Sequence, residues 1–137
     1  MKTIVVGYDG GEPAQRALTR AAELASAFGA GLVVTSVAPV LSGTAHGGGT
    51  VDPTDPPEAH QRMLEEARSL LEGRGLGADF QAALGDPADG ILDVAESRSA
   101  DLIVVGTREP NLLLRLLGQS VSESVQRRAH CDVLIVH

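Results

Sequence analysis

Short apolar runs alternate along this chain with longer stretches in which apolar residues return at every third or fourth position. TIVVGY (3–8) is compact and β-branched, the make-up of a strand buried on both faces. DGGEP then supplies turn residues, with Pro13 suited to a first helical turn. Ala14, Ala17, Leu18, Ala21, Leu24, Ala25 and Phe28 recur at helical spacing, with Arg16, Arg20 and Glu23 between them. That pattern predicts an amphipathic helix with one core face, closed by Gly29. GLVVTSV (31–37) predicts a second strand, so the start of the chain reads as a right-handed parallel crossover.

The segment 41–57, LSGTAHGGGTVDPTDPP, breaks this rhythm with consecutive glycines and clustered prolines, and predicts a flexible loop without regular structure. A helix resumes near Glu58, with Met63, Ala67, Leu70 and Leu71 on one face and GRGLG at its end. ADFQAAL (78–84) is a weaker strand, suited to a sheet edge. Asp86 as cap and Pro87 as first residue open another helix, with Ile91, Leu92 and Ala95 facing the sheet. DLIVVGT (101–107) is a buried strand. SVSESVQRRAH is a last helix, in which Ser120 and Glu123 have capping-box spacing, and DVLIVH (132–137) is a last strand. Five strands alternating with four helices imply an open parallel α/β sheet with helices on both faces, Rossmann-like, in a single domain spanning 1–137.

Composition narrows the function. Hydrophobic residues make up 43% of the 137 but aromatics only 2%, so the core is built from Ala, Val, Leu and Ile. The net charge of −7, with no Lys/Arg cluster, argues against nucleic acid and anionic membrane as partners. No stretch approaches membrane-spanning length and the N-terminus does not read as a signal peptide, so the expected location is the cytoplasm. Cys131 is the only cysteine; placed before an apolar run, it reads as buried and inert.

Ligands of open parallel sheets bind beyond the carboxyl ends of the strands. The candidates are Asp9 and Gly10, Val37, Gly85 and Asp86, and Gly106 to Glu109. Neither a Walker-type P-loop nor the G-x-G-x-x-G fingerprint is present. A receiver-type phosphorelay site needs an acidic pair after the first strand, where only Asp9 stands. His46, His60, His130 and His137 are scattered without metal spacing and read as solvated side chains. No nucleophile–base–orienter set or G-x-S-x-G elbow is evident, so the chain does not read as an enzyme.

IVVGYDGGEPAQRAL, GLVVTSV, GDPADGILDVAES, ADLIVVGTR and SVSESVQRRAHCDVLIV together resemble the universal stress protein family over nearly the whole chain outside 41–57. The resemblance implies strand order 3-2-1-4-5 and a homodimer, pairing through the last strand, Asp132 to His137. The family divides into members that bind ATP or related adenine nucleotides and members that do not, the binders sharing G-x2-G-x9-G-[ST]. Laid ungapped on this chain, that motif starts at Gly106, then meets Glu109 and Gln119 at its other glycine positions, and ends on Ser120. The resemblance also assigns Asp9 to the nucleoside, Val37 to the adenine region, Ser120, Val121 and Ser122 to the phosphate-facing helix start, and Arg108 to the nucleotide-binding set.

The two substitutions bear on phosphate directly. Backbone N–H groups at a helix start hold phosphate oxygens, and glycine lets them approach. Gln119 fills that space and Glu109 adds like charge. At ~4 Å and an effective dielectric near 20, such a pair repels by about 4 kcal/mol, a factor of about a thousand in affinity. Arg108 or Arg115 beside Glu109 would relieve part of it. Two readings follow. One is a stress-response dimer with weak or absent ATP binding, acting by protein contacts or sensing. The other is a working binder of ATP (with Mg²⁺), AMP or cyclic AMP with little or no hydrolysis. Asp9 and Ser120 each have a ligand-free explanation as turn and cap, and Val37 as core.

Overall fold

A computed structural model describes residues 1–41, 50–51, 53–107 and 120–137. In chain order the elements are β1 (Thr3–Gly7), α1 (Glu12–Phe28), β2 (Gly31–Ala38), β3 (Val40–Leu41), β4 (Thr50–Val51), α2 (Pro57–Glu72), β5 (Asp79–Leu84), α3 (Pro87–Ser97), β6 (Leu102–Gly106), α4 (Val121–Arg128) and β7 (Asp132–Val136). The main sheet is parallel throughout and ordered β5-β2-β1-β6-β7. Counting only its own strands, that is the order 3-2-1-4-5. β3 and β4 form a separate antiparallel pair. Leu41, Thr50 and Val51 within the Gly/Pro-rich segment therefore do adopt regular structure, Val40 pairing Val51 and Leu41 pairing Thr50.

β1 is central because its side chains are apolar on both faces. Ile4, Val5 and Val6 are each 0% exposed. Ile4 and Val6, with Val34 and Val104, pack beneath α1 and α2; Val5, with Val33, Ile103 and Val105, packs beneath α3 and α4. Each such side chain contributes about 2 kcal/mol by leaving water. β5 carries mixed polar and apolar residues and lies at an edge, as its sequence predicts.

The caps follow the sequence. Gly29 takes φ +65 and closes α1. The Asp86 carboxylate accepts from Asp89 N, and Ser120 Oγ accepts from Glu123 N. Two core expectations fail. Phe28 is 59% exposed, because the buried arc of α1 stops at Ala25 and leaves its last turn in water. Leu70 is 46% exposed: the buried face of α2 runs through His60, Leu64, Ala67 and Leu71, which leaves Leu70 on its flank. Among the described residues no helix is long and apolar enough to cross a membrane.

Candidate functional site

Sheet order reverses between β1 and β6, and the crevice opens at their carboxyl ends. After β1 the chain turns sharply into α1. Asp9 Oδ1 accepts from Gly11 N at 3.0 Å, and Gly10 takes φ +82, a conformation glycine adopts without strain. Asp9 is exposed at the rim of the crevice. Across it, Gly106 ends β6 directly beneath the first turn of α1. A Cβ at 106 would fall on the Pro13 carbonyl group, far inside van der Waals contact. Gly106 is thus required by helix–sheet packing, whatever the crevice holds.

Val37 faces two ways. Its side chain is buried and packs against α3, where a Cβ on Gly90 would stand 2.6 Å from Val37 Cγ2. Its backbone does something else. Tyr8 N donates to Thr35 O on one edge of β2, and Gly85 N donates to Ala38 O on the other. Backbone groups alternate along a strand. The Val37 N–H and C=O therefore project on the Thr35 side, where β1 has already turned away at Asp9. It is the Val37 main chain that meets the crevice, and its side chain is core.

Ser120, Val121 and Ser122 start α4 at the same end of the sheet, since α4 leads back to β7. Ser120 Oγ lies 3.1 Å from Ser122 Oγ, and Ser122 is buried while Val121 is exposed. The first-turn N–H groups of α4 carry the positive end of its dipole. Arg108, Glu109, Arg115 and Gln119 lie outside the described residues.

One arrangement at this end runs against the sequence reading. His60 is 4% exposed and so not solvated. Its Nε2 lies 2.7 Å from Asp55 Oδ1, and its Nδ1 lies 2.5 Å from Ser36 Oγ. A carboxylate only accepts, so Nε2–H donates to Asp55; in the neutral ring Nδ1 then accepts from the Ser36 hydroxyl. A nucleophile–base–orienter set in the geometric sense is therefore present after all. Ser36 is 0% exposed, however, so no substrate atom reaches its Oγ. The signal was in the sequence: His60 falls on the apolar face with Leu64, Ala67 and Leu71, and Ser36 interrupts an apolar strand.

Nearby, Tyr8 OH donates to Glu66 Oε1 at 3.3 Å. Burial first, then the Glu66 charge, pushes the Tyr8 phenol up to about 12. At the far end of the sheet Cys131 is half-buried rather than buried; desolvation, then Asp132 and Asp101, raise its thiol above the usual range, which disfavours thiolate chemistry. Among the described residues no cluster of three or more His, Cys, Asp or Glu is placed to hold a metal ion.

The model of the universal stress protein family matches residues 1–137. The chain belongs to the universal stress protein family. Universal stress protein Rv1636 of Mycobacterium tuberculosis is 33% identical, the match covering 99% of this chain and 96% of that one. A universal stress protein solved in complex with cAMP superposes with a TM-score of 0.79 at 30% identity, covering 99% of this chain and 97% of the other. The universal stress protein of Archaeoglobus fulgidus in complex with dAMP gives 0.72 at 27% identity, covering 100% and 98%. The fold expected from the resemblance is the one these structures share.

Proposed function

We propose that this universal stress protein binds an adenine nucleotide with a short phosphate tail, AMP or cyclic AMP, and binds ATP weakly or not at all. The observation that carries the reading is the pairing of the Val37 main-chain edge with the Asp9 turn across one gap. A main-chain N–H and C=O suit the edge of a purine, and an exposed carboxylate suits a ribose hydroxyl. The helix start at Ser120, Val121 and Ser122 suits one phosphate, and the family resemblance adds Arg108 to the ligand-binding set. Two relatives solved with adenine monophosphates, cAMP and dAMP, support the choice of ligand class.

The preference against ATP rests on the sequence. Glu109 and Gln119 occupy the motif's close-approach positions, and a longer tail carries more charge toward Glu109. Mg²⁺ enters this reading only as the companion of ATP. The proposal assigns no reaction: Ser36, the hydroxyl held by His60, is 0% exposed and closed to substrate.

Two further parts complete the reading. The protein acts in the cytoplasm, through protein contacts that respond to the nucleotide. It works as a homodimer joined through the outer edge of β7 (Asp132–Val136), an apolar strand without a guarding Lys or Pro. Calorimetric titration with AMP, cyclic AMP and ATP·Mg, after assay for co-purified nucleotide, tests the ligand. Silence with all of them returns the protein to protein contacts alone. Sedimentation equilibrium tests the dimer, and a monomer at micromolar concentration refutes it.

A further inference from the structure

Three residues of α2 reach the crevice: His60 grips the β2 wall, Glu66 grips the β1 wall, and Met63 touches both. His60 holds the Ser36 hydroxyl, one residue before Val37, at 2.5 Å. Met63 lies between the walls: its Sδ is 3.8 Å from Ser36 Oγ, and its Cγ is 3.4 Å from where a Cβ of Gly10 would stand. Glu66 Oε1 accepts from Tyr8 OH at 3.3 Å and from Gln15 Nε2 at 3.5 Å, and the same Gln15 amide donates to Gly10 O at 3.4 Å. The three residues are spaced three apart, so the stripe slants across the helix from β2 toward β1.

We propose that this stripe is the positioning element of the crevice: His60, Met63 and Glu66 set the gap between the Val37 main-chain edge and the Asp9 turn, with Asp55 holding the His60 ring in orientation. The inference rests on the reading that the crevice takes an adenine nucleotide. Its physical basis is a polar group, His60, at a buried position where packing alone would use an apolar one. The rest of the buried face of α2 is Leu64, Ala67 and Leu71, and another aliphatic residue at position 60 would bury without needing partners. A buried imidazole between a hydroxyl and a carboxylate fixes direction as well as distance. Ser36 and Val37 are consecutive, so anchoring one limits how far the other moves. Gly10 lies between Asp9 and Gly11, and contacts from Met63 and Gln15 bracket it.

Two substitutions separate placement from packing. His60→Asn puts an amide where Nδ1 stands and keeps the Ser36 contact; His60→Gln puts it where Nε2 stands and keeps Asp55 instead. Each gives up one hydrogen bond, so their melting temperatures fall alike. AMP affinity is expected to stay within about twofold of wild type in His60→Asn and to weaken about tenfold in His60→Gln. In the free protein the Gly10 and Val37 amide resonances shift in His60→Gln and stay in place in His60→Asn. Glu66→Ala, at an exposed position, keeps the test open if His60→Gln does not fold; it is expected to move the Gly10 resonance and weaken AMP about threefold. Equal AMP affinity in the two His60 variants, or Gly10 unmoved in Glu66→Ala, overturns the proposal while leaving the nucleotide reading in place. If wild type binds no AMP, that reading fails, and the resonances of the free protein alone decide the positioning claim.

Discussion

Ser36 Oγ and His60 Nδ1 stand 2.5 Å apart in a position that water does not reach. Removing the hydroxyl leaves a buried ring nitrogen without a donor. Ser36→Ala is therefore expected to cost about 1–3 kcal/mol, read from urea denaturation midpoints at constant slope. A loss within error of zero means that the contact contributes nothing net.

The residue beside it predicts the opposite sign. Thr35 is also 0% exposed, yet its Oγ1 has no hydrogen-bond partner among the described residues. Thr35→Val keeps the shape and removes the unpaired group, so it should stabilise the fold by about 1 kcal/mol. A destabilised Thr35→Val would show that the hydroxyl has a partner, most simply a bound water. Two adjacent polar residues in one strand thus give mutations of opposite sign, which no hydropathy scale distinguishes.

Tyr8 is the only tyrosine and the chain has no tryptophan, so near-ultraviolet absorbance titrates this one phenol. The expected midpoint is about 12 in the folded protein, against about 10 once unfolded. Between these values the folded state holds the proton that the unfolded state has lost, so this group lowers stability as pH rises through that window, and the effect levels off above it. Glu66→Gln removes the second-largest cause and should bring the folded midpoint down. A midpoint near 10 in native protein would contradict the burial of Tyr8 beside Glu66.

Gly106 belongs to the nucleotide motif of the family, yet its first constraint here is packing. Gly106→Ala forces the first turn of α1 away from β6 and is expected to cost about 1–3 kcal/mol of stability without any ligand. Thermal unfolding of the nucleotide-free protein measures it. An unchanged melting temperature would leave phosphate as the reason for the glycine.

The sheet was legible because its information is local and repeated. Each strand of the main sheet except β5 is an apolar run, each helix has a three-to-four-residue period, and Pro13, Asp86 and Ser120 mark helix starts by their own chemistry. The caps on α3 and α4 formed as their spacing implied. The candidate site was legible only as residues named at strand ends and at the start of the last helix. Asp9, Val37 and Ser120 could be named, but that Val37 offers its main chain, with its side chain turned into the core, depends on which edge of β2 lacks a neighbour. The clasp at His60 was missed because its partners, Ser36 and Asp55, lie 24 and 5 residues away. A histidine pattern judged for metal spacing does not reveal a hydrogen-bonded pair across a helix and a strand. Phe28 and Leu70 were misplaced for a simpler reason: a periodic face identifies an arc, and only packing fixes where that arc begins and stops.

The most direct test of the nucleotide account is a paired calorimetric titration of AMP and ATP·Mg into wild type and into the Glu109→Gly, Gln119→Gly double mutant. The account predicts micromolar AMP binding to wild type, ATP at least about tenfold weaker, and recovery of ATP affinity in the double mutant with AMP little changed. ATP binding to wild type as tightly as AMP, or a double mutant whose ATP affinity does not move, would contradict it.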